Sequence, residues 1–350
     1  MATYYVTTSG SDSNNGLTEG TAFATPGYAA SQATTAGYIV YVKEGTYTLT
    51  TTTVNASGGP VSIAARTQME GYKTTIGDQA ARPIINAGSQ AVTNIVTFAY
   101  WNYNITLGPA VRSIEVDGNS VATTGIYAAT PGAALVDNCI AKNLGNGVFG
   151  GYITGCRSEN CTNGMLFARD VSYSFAKSCA VGFNRNESLF RCIAYNGTGI
   201  GISFLSDGER RAHQCVAYNN SSHGFYNGYD RCNLVGCVSV NNGGYGYALG
   251  TSSSDAILID CADYNNTSGR TITSNPTRDI RPINLTGDPF TNPSGDDFSL
   301  NNIAGAGADL RQVQLSGLAG VNSVFDVGAI DAVVTPSGGG GATVHPLYAN

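Results

Sequence analysis

Acidic side chains recur at a nearly constant distance from a repeated cysteine, and their spacing could support acid–base catalysis. Asp207 and Asp230 follow the cysteines of their own repeats at the same interval, and Asp170 follows another cysteine at an interval one residue shorter. If successive repeats stack about 4.8 Å apart, as neighbouring strands do, these carboxylates share one outer face. Glycosidases use carboxylate pairs separated by about 5 to 9.5 Å. His213 and His223 lie near this stripe, and a histidine can serve as general base.

The acidic stripe also has a structural interpretation, which we adopt. Alternating charges on a solvated sheet face form cross-strand ion pairs that need no catalytic role. His223 stands in a segment of polar residues, 219–224, that is typical of a turn. The five residues therefore stay candidates only. Arginines lie close to the aspartates in the sequence: Arg169, Arg210, Arg211 and Arg231.

Tyrosines form a second candidate site. Tyr195, Tyr218 and Tyr264 occupy the same place in three of the repeats, and Tyr226 and Tyr229 lie in the segment after one repeat. An outward stripe of aromatic rings can stack on sugars. It can equally cover a neighbouring coil or form a subunit interface. The pattern leaves carbohydrate binding and packing both open.

Composition and charge exclude several kinds of partner. The 350 residues have a formal net charge of −6 and contain no Lys/Arg cluster, so nucleic acid is not expected as a partner. No run of 18 apolar residues predicts a membrane span, and residues 1–6 lack the features of a conventional signal peptide. The cysteine spacings match no zinc pattern, so neither a metal nor a cofactor is expected.

Six phrases in which an asparagine follows a cysteine by four residues organise the middle of the chain. From Cys192 onward the phrases begin at nearly equal intervals. A fixed period of about 20 to 50 residues indicates stacked repeats, each too small to bury its own apolar face. The phrases are Cys139–Asn143, Cys156–Asn160, Cys192–Asn196, Cys215–Asn219, Cys237–Asn241 and Cys261–Asn265.

Spacing inside each phrase predicts a strand followed by a corner. The cysteine is at position i, the asparagine is at i+4, and the residue at i+2 is Ala or Ser in five of the six phrases. Residues two apart lie on the same face of a strand, so these small side chains should line the interior. Asparagine tolerates left-handed backbone and suits a corner, where stacked copies would form a ladder. The nine cysteines are then expected as buried free thiols rather than disulfides. One coil of about 22 residues implies about 10 to 11 coils.

The opening of the chain resembles that of a known family. Residues 4–16 (YYVTTSGSDSNNG), 21–25 (TAFAT) and 38–47 (YIVYVKEGTY) are similar to the entry of pectin-lyase-like right-handed parallel β-helix proteins, including phage structural and tailspike-like proteins. The resemblance implies an all-β, single-stranded β-helix. It places an N-terminal cap of one strand and a short helix at 1–37, the β-helix at 38–290, and a C-terminal segment at 291–333 that closes the final coil.

The last residues have the composition of a tether. Residues 334–350 contain a run of four glycines, which predicts a flexible linker, followed by a short apolar peptide. Such a peptide can dock in a partner's groove, although a disordered end is the simpler interpretation. The docking residues would be Val344, Pro346, Leu347 and Tyr348.

Two functions follow from the resemblance. The first is a structural protein of a phage particle, a capsid decoration, fibre or spike subunit on the virion surface, with other virion proteins, a second copy of itself or a surface glycan as partner. The second is a polysaccharide lyase or glycoside hydrolase of the tailspike depolymerase type, extracellular without a conventional signal peptide. We expect the first, because the sequence lacks the family's hydrolase motifs Asn-Thr-Asp and Arg-Ile-Lys and has no paired Asp-Asp on a coil strand.

Overall fold

Three parallel sheets make up most of the molecule. The computed structural model describes residues 3–64, 67–78, 81–98, 109–128, 134–205, 209–228, 231–249, 256–273 and 278–312. Within these residues, each coil contributes one strand to each sheet in turn, so strand order in every sheet follows the order of the chain. This topology confirms the predicted parallel β-helix.

Sheet A contains twelve strands among the described residues. Its first strand caps the β-helix, because the next strand of the sheet comes only after a helix and a loop. The strands are Thr3–Val6, Ile39–Lys43, Gln68–Tyr72, Ala110–Arg112, Leu135–Asp137, Tyr152–Thr154, Asp170–Ser172, Ser188–Phe190, Arg210–His213, Cys232–Val235, Ala256–Ile259 and Arg278–Ile280.

Sheet B contains eleven described strands and includes the strand of every Cys/Asn phrase. The strands are Thr46–Thr48, Ile84–Asn86, Glu115–Asp117, Ile140–Lys142, Arg157–Glu159, Phe175–Lys177, Ile193–Tyr195, Val216–Tyr218, Val238–Val240, Ala262–Tyr264 and Ile283–Asn284.

Sheet C contains ten described strands and completes each coil. Its strands are Val61–Ile63, Asn94–Phe98, Thr124–Ala128, Asn146–Phe149, Asn163–Leu166, Val181–Asn184, Ile200–Phe204, Phe225–Asn227, Tyr247–Leu249 and Thr271–Thr273.

The cap helix Pro26–Gln32 packs at the N-terminal end of the β-helix. Thr25 caps it, since its hydroxyl accepts a hydrogen bond from the Tyr28 N–H, and proline at the first position suits the helix start. Asp12 fixes the approach to the helix, because its carboxylate accepts hydrogen bonds from the Ala24 and Thr25 N–H groups. A single turn of 3-10 helix, Glu19–Thr21, lies in the preceding loop.

The interior and the corners follow the predicted pattern. All nine cysteines are free and buried, which confirms the buried thiols. All six asparagines of the repeated phrases have left-handed backbone, with φ between 49° and 56°. Their ladder is interrupted: Asn219 donates to Asn196 at 2.9 Å and Asn265 donates to Asn241 at 2.8 Å, but Ser178 occupies the corner between Asn160 and Asn196.

Coil length varies more than predicted. In sheet A, Tyr152 pairs with Asp170 and Asp170 pairs with Ser188, so two successive coils are equal in length and shorter than the repeat measured from the Cys/Asn phrases. Ser188 then pairs with Arg211 and Arg211 with Asn233, which gives two longer coils. Coils of the expected length therefore occur in the second half of the β-helix, where the repeat was measured.

The C-terminal strap, residues 285–312, lies along the outside of sheet B. It contains an antiparallel hairpin of Phe290–Asn292 and Asp297–Leu300, joined by the 3-10 turn Pro293–Gly295, and the helix Gly307–Gln312. The predicted closing segment at 291–333 was expected to cross the final coil. In the structure, its described part packs against the apolar outer side of sheet B, and its remainder, 313–333, lies outside the described residues.

Candidate functional site

Of the predicted acidic stripe, only Asp170 falls within the described residues, where it starts a strand of sheet A. The same position holds Ser188 in the next coil and Arg211 in the one after. Asp207 and Asp230 lie outside the described residues.

The two candidate histidines lie apart from each other and have different surroundings. His213 ends a strand of sheet A, where burial and then the charge of Arg211 lower its pKa. His223 lies in the turn before a strand of sheet C, and its Nδ1 accepts a hydrogen bond from the Tyr245 N–H at 3.0 Å. Its ring stacks between Tyr226 and Tyr245, and burial lowers its pKa. His223 therefore connects neighbouring coils at this turn.

The predicted tyrosine column exists, but the strap covers much of it. Tyr195 pairs with Tyr218, which pairs with Val240 and then Tyr264, so the rings share one outward column of sheet B. Tyr195 is only 1% exposed, which leaves no ring face for a sugar. Tyr226 is partly exposed in sheet C, and Tyr229 lies outside the described residues.

Aromatic rings hold the strap against this column. Phe298 lies 5.0 Å from Tyr195 and 5.7 Å from Tyr218, centroid to centroid, in edge-on geometry. Phe290 packs on Phe298 at 5.2 Å. The Tyr218 hydroxyl donates a hydrogen bond to Asp288 at 2.9 Å, and burial together with this carboxylate raises the pKa of Tyr218 to about 12.

Asp296, at the tip of the hairpin, fastens the strap by charge. It accepts a hydrogen bond from Arg157 at 2.8 Å and two from Lys177 at 2.9 Å. Burial alone would raise the pKa of Asp296, but the hydrogen bonds to Lys177 and Arg157 outweigh it and lower that pKa. Arg157 also donates to the Tyr195 hydroxyl at 3.2 Å, which links the ion pair to the rings.

A set of rings and arginines that the sequence reasoning missed lies around sheet A. We call it the ring–arginine face; it covers the coils between Tyr127 and Arg191. Tyr127, Phe149 and Phe167 stack from coil to coil at 4.8 and 5.5 Å, and the guanidinium of Arg185 lies 5.2 Å from the Phe167 ring. This ladder runs along the corner between sheets C and A.

The other members of the ring–arginine face flank the same strands of sheet A. Arg169 lies 5.8 Å from the Tyr152 ring at one end of the strands. At the other end, Arg191 lies over both Phe190 and Tyr173, whose rings are 37% and 38% exposed.

A signal for the ring–arginine face was present in the sequence. Phe149, Phe167 and Arg185 follow one another at equal intervals, as positions in successive coils do. These intervals are shorter than the spacing of the Cys/Asn phrases from Cys192 onward. The column of Phe149, Phe167 and Arg185 is therefore not visible at the longer period of the Cys/Asn phrases.

Two kinds of feature are absent from the described residues. Among the described residues there is no group of three or more His, Cys, Asp or Glu side chains arranged to bind a metal ion. No helix in those ranges is long and apolar enough to cross a membrane. The predicted docking residues, Val344, Pro346, Leu347 and Tyr348, lie outside the described residues.

Comparison with known proteins gives matches among solved structures. No protein-family model matches the chain, and no curated protein matches its sequence. A rhamnogalacturonan lyase is 19% identical, with 76% of this chain and 69% of that chain covered and a TM-score of 0.36. The ORF18 protein of Geobacillus virus E2 is 13% identical, with 71% and 52% covered and a TM-score of 0.45. The A-module of an Azotobacter vinelandii mannuronan C-5 epimerase is 13% identical, with 69% and 72% covered and a TM-score of 0.45.

Proposed function

We propose that this protein is a structural subunit of a phage particle, a decoration, fibre or spike protein whose β-helix is displayed on the virion surface. The observation that supports this most is that the repeated residues serve the scaffold: cysteines fill the interior, asparagines turn the corners and a strap covers an apolar outer face. A solenoid built from coils that each bind their neighbours makes a stiff rod. The resemblance of residues 4–47 to phage β-helix proteins supports the location.

We propose that the C-terminal tail attaches the β-helix to the particle. Residues 334–350 combine a glycine-rich linker with the apolar residues Val344, Leu347 and Tyr348. A flexible linker gives such a peptide reach, and a groove on another virion protein, or on a second copy of this chain, can receive it.

Removing the tail tests the proposed attachment. A variant that lacks residues 334–350 should keep the circular dichroism and melting temperature of the full chain and should no longer copurify with particles. Leu347→Asp combined with Tyr348→Asp should have the same effect, while Asn350→Asp serves as the matched control at the chain end. Undiminished copurification of the truncated variant would show that the tail is not the anchor.

A polysaccharide lyase or glycoside hydrolase is the competing function, and an activity assay separates the two. The full chain would be incubated with host polysaccharides, and unsaturated uronate and new reducing ends would be measured. The structural role predicts no release above that of a heat-denatured sample. Release that is lost on replacing Asp170, Asp207 or Asp230 by Asn, or His213 by Gln, would overturn the structural proposal in favour of the enzyme.

A further inference from the structure

We propose that the open N-terminal edge of sheet B binds the C-terminal tail of a second copy of this chain as an added parallel strand. The inference rests on the docking role proposed above for residues 334–350, and it names the groove that receives them. The edge is formed by the first strand of sheet B, Thr46–Thr48. Strand addition gives affinity through main-chain hydrogen bonds and specificity through alternate side chains.

The corresponding edges of the other two sheets are covered. In the first strand of sheet A, the Tyr5 N–H donates a hydrogen bond to the Gly16 carbonyl at 2.8 Å, and the Tyr5 carbonyl accepts one from the Phe23 N–H at 2.9 Å. In the first strand of sheet C, the side chain of Asn55 takes the place of a neighbouring strand. It accepts from the Ser62 N–H at 2.6 Å and donates to the Ser62 carbonyl at 3.0 Å. Such cover prevents an unpaired edge from pairing with another chain.

Sheet B has no such cover in the described residues. The Gly45 carbonyl accepts a hydrogen bond from the next strand of the sheet at 2.8 Å, and the Leu49 N–H donates one to that strand at 2.8 Å. Because backbone groups alternate in direction along a strand, Tyr47 also faces the next strand, while Thr46 and Thr48 face the edge. Among the described residues, no group forms a hydrogen bond with the N–H or C=O of either threonine, and both threonines are exposed.

A cavity of about 170 Å³ adjoins this edge. It is lined by the strand Thr46–Thr48, by the buried side chains of Leu49 and Ile85, and by residues 24–26 and 58–59. A cavity of about 150 Å³ with an apolar lining holds a benzene-sized group, so this one has room for an apolar side chain of an added strand. Residues 45–53 also contain no charge and no proline, the features that commonly protect an open edge.

The tail matches the edge in one register. Tyr47 is an inward residue and its backbone groups face the following coil, so an added strand of the same kind directs the backbone groups of its own inward residues at the edge. We place Leu347 opposite Tyr47, with its side chain in the cavity. Its N–H then donates to the Thr46 carbonyl, and its carbonyl accepts from the Thr48 N–H. Pro346, which has no N–H, faces away from the edge and leaves no group unpaired.

The remaining groups of the edge find partners in the same register. The His345 carbonyl accepts from the Thr46 N–H, and the Ala349 N–H donates to the Thr48 carbonyl, so every edge-facing group of the two threonines is paired. A shift by one residue would direct Pro346 at the edge and leave the Thr46 carbonyl without a donor.

The edge and the end of the described chain lie far apart in one copy, which favours a second copy as the source of the tail. The strap starts beside the strand Ala262–Tyr264, where the Leu285 N–H donates to the Asp263 carbonyl, and it returns there, where the Thr286 N–H donates to the Gly305 carbonyl. That strand is nine strands from Thr46–Thr48 in sheet B, about 43 Å. Head-to-tail contact brings a tail to the edge of the next copy without this path, and such contacts repeat along a filament.

Sedimentation velocity of the full chain at concentrations up to about 100 μM tests the proposal, because contacts of micromolar affinity are populated there. We expect association that increases with concentration and is reversed by an excess of a synthetic peptide of residues 342–350. Thr48→Pro should abolish the association, since its ring replaces an N–H that faces the edge and not the next strand. Thr48→Val keeps that N–H and is the matched control, and melting temperatures show that both variants are folded. A full chain that stays monomeric, or association that neither the peptide nor Thr48→Pro changes, would overturn the proposal.

Variants of the tail test the register without altering the edge. Leu347→Asp should weaken association at least ~10-fold, because the cavity loses an apolar side chain and would have to receive a charge. Tyr348→Asp should change it less than ~3-fold, because that side chain faces outward. Equal loss in the two variants would contradict the register. A monomeric full chain, together with binding of the labelled peptide to the Leu347→Asp chain, would assign the edge to the tail of the same copy and overturn the inference of a second copy.

Failure of this inference and failure of the proposed function give different results. A monomeric chain whose copurification with particles still depends on residues 334–350 would overturn the inference alone. A chain that associates through the edge and is absent from purified particles would support the inference and overturn the proposed function.

Discussion

At the scale of single residues, polar side chains have two uses in this protein: they stabilise the backbone conformation at corners, and they hold segments that are distant in the chain against one another. Asn219 illustrates the first use, since its left-handed backbone turns a corner while its amide donates to Asn196. Asp296 illustrates the second, since it joins the strap to Arg157 and Lys177 on sheet B. The corner could be predicted from the sequence, because asparagine favours that local conformation. The ion pairs could not, because Asp296 is 139 residues from Arg157 in the chain.

Replacing Asp296 by Asn should destabilise the protein by about 1–3 kcal/mol at pH 7, because two partly buried cations lose a charged partner. The folded pKa of Asp296 is lowered, so its contribution is complete above the unfolded pKa, about 3.9, and is lost as pH falls through the folded pKa. Urea unfolding from pH 7 to pH 3 should show wild type and variant converging below about pH 4. The exposed Glu209→Gln is the control, with a change near zero. A difference between wild type and Asp296→Asn that is independent of pH would contradict this role.

The corner conformation of Asn219 predicts an unusual order of stabilities. Asn219→Ala should be about 1 kcal/mol less stable than Asn219→Gly, because only glycine adopts a φ of 50° without strain. At Asn163, which starts a strand of sheet C, the order should reverse, with glycine about 0.5–1 kcal/mol less stable than alanine. Free energies of unfolding for the four variants would test both orders. The same order at the two positions would argue against backbone strain as the reason for asparagine.

At the scale of elements, the strap is the part that the sequence predicted least well. Sheet B presents outward Ile193, Val216 and Val238, which are at most 1% exposed under the strap. An apolar residue follows the cysteine in five of the six phrases, which was a signal in the sequence that something covers this side of sheet B. What covers it could not be read, because the strap pairs by its own hairpin and ring contacts rather than by the coil period.

The buried ladder beside the corner was also missed. Asn220 donates to Asn242 at 3.0 Å and Asn242 donates to Asn266 at 2.9 Å, within the interior of three coils. Each follows a corner asparagine, so the Asn-Asn pairs in the sequence were a signal. Polar residues at an interior position contradict the usual inside–outside pattern, and their hydrogen bonds to one another and to backbone carbonyls make the burial favourable.

We expect the Phe298 ring to contribute much of the free energy that holds the strap on sheet B. Phe298→Ala removes a ring that is 1% exposed and contacts Tyr195, Tyr218 and Phe290, at a cost of about 3 kcal/mol. That cost raises the detached population about 100-fold. Limited proteolysis followed by mass spectrometry should therefore show faster cleavage within residues 285–312.

Phe190→Ala is the control for the strap, because it removes a ring that is 37% exposed at the end of a strand of sheet A and does not belong to the buried group that the strap forms with sheet B. Its cleavage pattern should match that of the wild type. Cleavage of Phe298→Ala at the wild-type rate, or spread evenly through the coils, would show that Phe298 does not hold the strap.

At the scale of the whole molecule, the β-helix is one stack with a continuous interior of small and apolar residues. The largest group of buried residues extends from Val6 in the first strand of sheet A to Cys261 near the last coil. The period of the sequence predicted this stack, because every coil must bury its small and apolar side chains against the neighbouring coils. It did not predict the shorter coils around Asp170, since those lie outside the evenly spaced phrases.

The interior thiols should be unreactive while the stack is folded. Burial raises the pKa of the Cys215, Cys237 and Cys261 thiols well above the usual range, so thiolate is scarce at pH 8. Ellman's reagent should detect none of the nine thiols in the native protein and all nine in guanidinium. An exposed cysteine introduced by Ser294→Cys should react at once as a positive control. Rapid reaction of the native thiols, or fewer than nine after denaturation without reductant, would contradict a closed thiol interior.

The copy number of this chain in purified phage particles tests the proposed function most directly. Quantitative mass spectrometry with labelled peptides from the coils would give copies per particle relative to the major capsid protein. A structural subunit predicts a fixed number that is the same in independent preparations and is retained through density-gradient purification. Absence from the particles, with the protein recovered free and cleaving polysaccharide, would contradict the structural role.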